Sequence, residues 1–502
     1  MDMSHDACYR VIETRDARFD GRLFIGVKTT GVYCRPICPA RTPKRENVTF
    51  FATATASQAA GFRPCLRCRP EASPDLAAWR GTSNTVARAL ALIETGALDG
   101  GDMAGLAARL GVGERQLRRM FRRHLGASPV AVAQTRRVLL AKQLIHQTRL
   151  PMTEVALASG FGSVRRFNET FQALYKRPPR ALRRAGGDDV SARGGGWITL
   201  RLPYRAPYDW DGIIAFLALR AIEGVESVTP ERYARAIAVG ADRGLLIVTR
   251  GADDEIRVSV RFPKIAALPL IIAKVRRVFD LAADPEQIGA HLAGDPRLAS
   301  LVAARPGLRV PGAWDGFELA VRAILGQQIT VVAARNLAGR IVRDWGEALP
   351  SVMRDQIDGV THVFPSAERL AAADLSVLPM PRARSASLES LARAVAADPA
   401  LFGPRRGLDE AVAVLKALPG IGEWTAQYIA MREIREPDAF PSGDVALMRA
   451  LQTDDGPRPT TVEMLSRAET WRPWRAYAAL HLWASLAPPS AKSEVVNVKA
   501  AA

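Results

Sequence analysis

Two short cysteine pairs, Cys34-x3-Cys38 and Cys65-x2-Cys68, decide what the first part of this 502-residue chain can become. Thiolates gathered two by two in a short fold form a tetrahedral set about 2.3 Å from a zinc ion, so one Zn2+ per chain on Cys34, Cys38, Cys65 and Cys68 is expected. The N-terminus, Met1-Asp2-Met3-Ser4-His5-Asp6, is acidic and polar and lacks the basic then apolar layout of a secretory signal. The chain is therefore expected in the cytoplasm, where disulfides are disfavoured. On spacing alone, a four-cysteine zinc site is usually closed and structural. Cys8 stands outside the pattern, and no cysteine follows Cys68, which leaves no ligands for an iron–sulfur cluster further on.

A single hydrophobic core does not grow to this length, so several domains are expected. The clearest division is residues 185–196, with five glycines in twelve residues and too little apolar content to pack. A weaker one lies near Glu71-Ala72-Ser73-Pro74, where helical periodicity begins. The expected parts are residues 1–74, residues 75–184, the linker 185–196 and a long C-terminal part. No apolar run of about 18 residues is present, so no membrane partner is expected.

Charge separates these parts further. The chain carries 69 Lys+Arg against 51 Asp+Glu, a formal +18, and residues 75–184 alone hold 19 basic and 7 acidic side chains. A uniform excess would serve solubility; concentrated in one stretch, it points to a polyanion such as double-stranded DNA.

The residues around the cysteines sharpen the zinc reading. Phe24-Ile25-Gly26-Val27-Lys28-Thr29-Thr30-Gly31-Val32-Tyr33-Cys34-Arg35-Pro36-Ile37-Cys38-Pro39, then Gly61-Phe62-Arg63-Pro64-Cys65-Leu66-Arg67-Cys68, resemble the N-terminal domain of the Ada methylation-response regulators across most of residues 8–72. The resemblance implies that Cys34 is both a zinc ligand and the acceptor of a methyl group from a DNA methylphosphotriester. The thiolate is the nucleophile in such a transfer. The thioether product is not turned over, and the site passes from −2 to −1, which reduces repulsion from the phosphate backbone. Arg35, Arg45 and Arg67, with Lys44 and Arg63, are candidate phosphate contacts.

The basic stretch carries two helix-turn-helix patterns. Asp102 starts a short amphipathic run that turns at Gly111, and Glu114–His124 follows with Leu117, Met120 and Phe121 on one face, while the opposite face, with Arg118, Arg119 and Arg122, is nearly all arginine. The order repeats through Thr153–Phe161 and Ser163–Phe171, with Arg165 and Arg166 opening the second recognition helix. Residues 84–184 resemble the AraC-type paired helix-turn-helix, which implies promoter binding and RNA polymerase as a further partner.

After the linker, Leu418-Pro419-Gly420-Ile421-Gly422-Glu423-Trp424 reads as a helix-hairpin-helix, whose Gly420 and Gly422 let backbone N–H groups approach a phosphate. Such hairpins license only binding. Asp444 lies 22 residues beyond Gly422, and Pro207-Tyr208-Asp209-Trp210, Arg322-Ala323-Ile324-Leu325-Gly326-Gln327-Gln328 and Trp474-Arg475-Ala476-Tyr477 add to the pattern. Residues 197–487 resemble the AlkA 3-methyladenine glycosylases. The resemblance implies an α+β subdomain over 197–285, a helix-hairpin-helix domain over 286–490 and Asp444 as the carboxylate facing the sugar cation. It also implies an electron-rich base pocket from Trp424, Tyr428, Trp483 and Phe216, because aromatic faces attract cationic rings. Trp424 stands where bifunctional relatives carry a nucleophilic lysine, so no lyase step is expected. Gly443 replaces the family's acidic neighbour of the aspartate, and Gln328 replaces its apolar wedge, which leaves the wedge unassigned; Gln327 and Gln328 remain candidate DNA contacts. The carbonyls of Lys416, Leu418 and Gly420 are expected to hold a monovalent cation, as in relatives.

The expected fold is multidomain and mostly α with α+β parts: a small zinc domain, a double helix-turn-helix, an α+β subdomain and a hairpin glycosylase. The expected function is a methyl-sensing regulator fused to a monofunctional alkylbase glycosylase. The competing reading keeps the regulator and reduces the C-terminal part to a grip on bent or damaged DNA. With no Pro-Cys-His-Arg nucleophile, direct repair of O6-methylguanine is not expected.

Overall fold

The computed structural model describes residues 4–73, 84–183, 196–403, 407–452 and 456–486. The expected linker lies outside the described residues except for Gly196, and so does the expected boundary at 74–75.

In the first module, strands Phe24–Val27 and Val32–Cys34 form a hairpin, Val48–Phe51 pairs with its other side, and Arg63–Pro64 adds in parallel to Val32–Cys34. That parallel pairing sets Val32 against Arg63 and Tyr33 against Pro64, and so delivers the second cysteine pair to the end of the strand that carries the first. Gly31 takes φ +63° at the hairpin, a left-handed conformation that favours glycine.

Among its described residues the basic module has six α-helices and a closing 3-10 turn. Asp102 caps Met103–Arg109 by accepting from Gly105 N–H, and Ser163 caps Val164–Tyr175 by accepting from Arg166 N–H. The recognition helix Glu114–Leu125 buries Leu117, Phe121 and Leu125, and Val164–Tyr175 buries Phe167, Phe171 and Tyr175. Between the two units runs Pro129–Gln147, with Ala133, Val138, Ala141, Leu144 and Ile145 inward.

The C-terminal part begins with a five-stranded antiparallel sheet in the order Ile198–Pro203, Glu255–Arg261, Asp242–Arg250, Arg232–Val239, Glu226–Thr229, packed on helices Trp210–Arg220 and Leu268–Val278. From Pro285 onward the described residues are mostly helical, with one short strand pair, Glu347–Ala348 with His362–Val363. The hairpin joins Leu408–Lys416 to Glu423–Ile429, and Gly420 turns at φ +81° where a Cβ would strike the Ser387 side chain.

The apolar packing crosses the divisions visible in sequence. Val155, Ala156, Phe161 and Phe167 of the second helix-turn-helix share one continuous core with Leu200, Leu202, Trp210 and Val258 of the sheet subdomain. Polar contacts reinforce this junction: Gln143 Nε2 donates to the Arg201 carbonyl at 2.8 Å, and Arg201 N–H to Gln147 Oε1 at 2.9 Å. The zinc module is fastened on two sides. Lys142 Nζ lies 2.6 Å from Glu71 Oε2 with both side chains buried, and Arg205 donates to the carbonyls of Arg18 and Asp20 while Arg22 pairs with Asp284. Among the described residues no helix is long and apolar enough to cross a membrane.

Candidate functional site

The four cysteine sulfurs lie within 4.8 Å of one another. Cys34 closes a strand, and Cys65 N–H donates to the Tyr33 carbonyl at 3.0 Å; the turn from Arg35 to Cys38 is closed by Cys38 N–H to the Arg35 carbonyl at 3.1 Å. Four convergent thiols in a mostly buried site, with no disulfide among them, suit a tetrahedral dication and nothing harder. The surrounding backbone fits the same set. Arg35 N–H points at Cys68 Sγ and Arg67 N–H at Cys65 Sγ, both at 3.3 Å, as donors do around bound thiolates.

The arginines expected to meet phosphate are placed differently from one another. Arg35 is turned inward: its Nε lies 2.8 Å from Asp20 Oδ1, and its Nη1 donates to the Cys68 carbonyl at 3.3 Å. It is committed within the fold. Arg45 is at the surface, paired with Asp6, and Arg67 is exposed. On the recognition helices Arg118, Arg119, Arg122, Arg165 and Arg166 all face solvent, Arg118 paired with Glu114 and Arg165 with Glu169 along the helix.

In the C-terminal part, a cavity of about 550 Å³ is lined by Trp424 and Tyr428 of helix Glu423–Ile429, Asp444 at the cap of Val445–Leu451 and Trp483 of Arg475–Ser485. Trp424 and Tyr428 stack at 5.2 Å with 9° between the rings, and Trp483 meets Tyr428 edge-on at 6.4 Å. Asp444 caps helix Val445–Leu451; its Oδ1 accepts from Leu447 N–H at 2.9 Å and from Trp483 Nε1 at 3.0 Å, and its Oδ2 from Trp424 Nε1 at 2.8 Å. Among the described residues no lysine lines this cavity. Lys416, nearby on the hairpin, pairs with Glu423 at 2.7 Å.

Phe216 is not part of the cavity wall. The Arg220 guanidinium lies 3.8 Å from its ring centre and that of Arg432 4.8 Å, so cations of the protein already occupy the ring expected to receive a cationic base. Arg220 and Arg432 themselves line the cavity, and sequence reasoning missed them. Arg432 Nη1 donates to the Tyr428 hydroxyl at 2.7 Å. Burial would raise the Tyr428 phenol, but the Arg432 and Arg220 guanidiniums outweigh it and hold the group below its ordinary value. The same cavity is also lined by a charge network in which Glu318 takes Arg235 at 2.7 Å and Arg322 at 2.6 Å.

At the hairpin, Gln327 Nε2 donates to the Gly420 carbonyl at 2.8 Å and to Thr425 Oγ1 at 3.1 Å, bracing the turn. Gln328 is exposed and holds φ +59°, in the left-handed region. The hairpin carbonyls expected to take a cation are partly engaged: Gly420 by Gln327, and Leu418 by Ile421 N–H at 3.1 Å.

Comparison with known proteins agrees with this geometry along nearly the whole chain. Residues 7–71 match the metal binding domain of Ada, 106–185 a helix-turn-helix domain, 199–315 the AlkA N-terminal domain and 321–476 the HhH-GPD superfamily of base excision DNA repair proteins. A Mycobacterium tuberculosis protein named "Probable bifunctional transcriptional activator/DNA repair enzyme AlkA" is 41% identical over 486 residues, covering 96% of this chain and 97% of its own. The Escherichia coli DNA-3-methyladenine glycosylase 2 is 38% identical over 291 residues, 56% of this chain and 95% of its own. Among solved structures, the 3-methyladenine DNA-glycosylase of Archaeoglobus fulgidus shares the fold of the C-terminal part, with TM-score 0.50 and 21% identity over 56% of this chain and 96% of its own. A relative this similar from end to end settles kinship: the chain belongs to the family of AlkA-type bifunctional transcriptional activator/DNA repair enzymes.

Proposed function

We propose that this chain is a DNA alkylation-damage protein with two chemistries: a single-use methyl acceptor that regulates transcription, and a monofunctional glycosylase that releases alkylated bases such as 3-methyladenine. Its modules are residues 1–74, 75–184, 197–285 and 286–490.

In the first chemistry Cys34 is the acceptor. Zinc on Cys34, Cys38, Cys65 and Cys68 supplies the charge that keeps the thiols ionised at neutral pH. Backbone N–H groups of Arg67 and Arg35 donate to Cys65 and Cys68, which spreads charge off those two sulfurs. Cys34 receives no backbone N–H among the described residues, which supports it over Cys65 and Cys68 as the nucleophile. Its sulfur attacks the methyl carbon of a methylphosphotriester, an S–C bond forms, the C–O bond breaks, and the phosphodiester leaves as its anion. The exposed arginines of both recognition helices then hold promoter DNA, with RNA polymerase as partner, in the cytoplasm.

In the second chemistry an alkylated purine turns out of the duplex and enters the cavity beside Trp424, Tyr428 and Trp483. The base is already cationic, so it departs neutral once the sugar cation is stabilised; Asp444 supplies that charge and water adds to the sugar carbon. Gly420 and Gly422 at the hairpin, with Gln327 and Gln328 opposite, hold the flanking backbone, and the carbonyls of Lys416, Leu418 and Gly420 would hold a monovalent cation.

The observation that carries this reading is a carboxylate, Asp444, held by two indole N–H donors in the wall of an aromatic-lined cavity, while Glu226 and Glu318 of the same wall are paired with arginines. Asp444→Asn is expected to abolish base release from methylated duplex DNA while DNA binding persists. Undiminished base release from that variant would overturn the assignment. Binding without any base release from the parent protein would favour the competing DNA-grip reading.

A further inference from the structure

The carboxylate of Asp444 is unusually well supplied with donors. Trp424 Nε1 donates to Oδ2 at 2.8 Å, Trp483 Nε1 to Oδ1 at 3.0 Å, and Leu447 N–H to Oδ1 at 2.9 Å. A carboxylate offers about four lone-pair positions, so the protein fills three and leaves one for the cavity. The three participants come from separate elements: Trp424 from Glu423–Ile429, Asp444 from the cap of Val445–Leu451, and Trp483 from Arg475–Ser485. The indole rings cannot turn freely either, because Trp424 is stacked flat on Tyr428 and Trp483 meets the same ring edge-on.

We infer that Trp424 and Trp483 are positioning residues for Asp444, acting through their N–H edges in addition to whatever their ring faces do for the base. The inference rests on the reading of Asp444 as the group that stabilises the sugar cation. Stabilisation by a fixed charge depends on where the charge sits when the transition state forms, and a carboxylate free to rotate about χ1 and χ2 spends much of its time averted. Two indoles and a helix N-terminus remove that freedom before the substrate arrives. The same saturation limits Asp444 as an acceptor for a proton from water. It acts as a placed anion: water adds to the sugar carbon, and the proton passes to solvent afterwards.

The arrangement demands two acceptor oxygens. An asparagine offers one oxygen and one NH2, so whichever way it turns, an N–H donor faces another N–H donor. Asp444→Asn therefore removes a charge and also creates a partly buried mismatch. Trp424→Phe, which deletes one of the facing donors, relieves that mismatch.

The test uses full-length, zinc-loaded protein carrying phenylalanine or 3-benzothienylalanine at position 424 or 483; the latter keeps the bicyclic shape and lacks the N–H. Single-turnover excision of an N-alkylated purine is measured against duplex concentration. Each benzothienylalanine variant is expected to lower the maximal rate about tenfold, the worth of one hydrogen bond to a charged group, with the half-saturating DNA concentration within about twofold of the parent. In thermal melts, Trp424→Phe is expected to lower the midpoint in the parent and raise it in Asp444→Asn. Parent-like excision by both benzothienylalanine variants would overturn the positioning role, as would a melting midpoint that Trp424→Phe lowers equally in both backgrounds. Undiminished excision by Asp444→Asn alone would instead overturn the catalytic reading on which the inference stands.

Discussion

Replacing Lys142 by methionine strips the cation from a carboxylate that has almost no contact with water. The Lys142 and Glu71 side chains are 0% and 3% exposed, and Nζ lies 2.6 Å from Glu71 Oε2 and 3.3 Å from the Cys65 carbonyl. Removing one partner of a buried pair costs about 3–5 kcal/mol, because the abandoned charge stays buried. Arg69, 3.9 Å from Glu71 Oε1, offsets part of that loss and sets the expectation at the lower end, about 3 kcal/mol. Substituting both partners by apolar residues, Lys142→Met with Glu71→Leu, leaves no orphaned charge and is expected to recover most of the loss. A junction between two modules can open before either module melts, so a local probe reads this pair better than a melting midpoint does. Native-state hydrogen exchange across helix Pro129–Gln147 reads the junction directly, and 3 kcal/mol corresponds to about 150-fold faster opening. A change below about threefold in Lys142→Met, or a double variant no better than the single one, would refute the claim that this pair fastens the zinc module to the basic helices.

Burial pushes the Glu433 carboxyl up to about 7, against the partial compensation of Arg277, whose Nη2 lies 3.1 Å from Oε1, and of Lys274 and Arg435, while Asp315 adds to the rise. Its folded value exceeds the ordinary 4.5, so the folded state holds the proton more tightly; the resulting stability is complete below about pH 4.5 and is lost as pH rises through about 7. Glu433→Gln is expected to flatten the fall in melting midpoint between pH 5 and pH 8, and a profile as steep as the parent's would contradict this. Cys34→Ser is expected to abolish methyl uptake from methylphosphotriester DNA, and uptake retained by that variant would move the acceptor to another sulfur.

Features held within a few residues were legible in the sequence. The cysteine pairs, the Asp102 cap and the turns at Gly111 and Gly420 follow from spacing and backbone preference, and the structure builds each of them locally. Asp444 was legible through its distance from the hairpin. Contacts joining distant segments were not. Nothing in the sequence near Lys142 or Glu71 announces a partner 71 residues away, and Arg205 reaches 185 residues back to the Asp20 carbonyl. The Gly-rich segment reads as a separator, yet the helices before it and the strands after it share one core, because exposed apolar faces on both sides had nowhere else to go. Charged side chains misled in the same way. Arg35 looks like a surface arginine but is claimed by buried Asp20, and Arg220 and Arg432 look like surface charge but cover Phe216 in the cavity region. An arginine's place depends on which carboxylate or ring the fold sets beside it.

The central claim is that one polypeptide performs both chemistries. Its most direct test incubates the purified zinc-loaded protein with excess methylated duplex DNA and follows released bases and protein-bound methyl in the same tube. Alkylated bases are expected to be released over many turnovers, together with methyl uptake that stops at one per chain and maps to Cys34. Methyl uptake with no base release, or base release with no methyl on the protein, would contradict that claim.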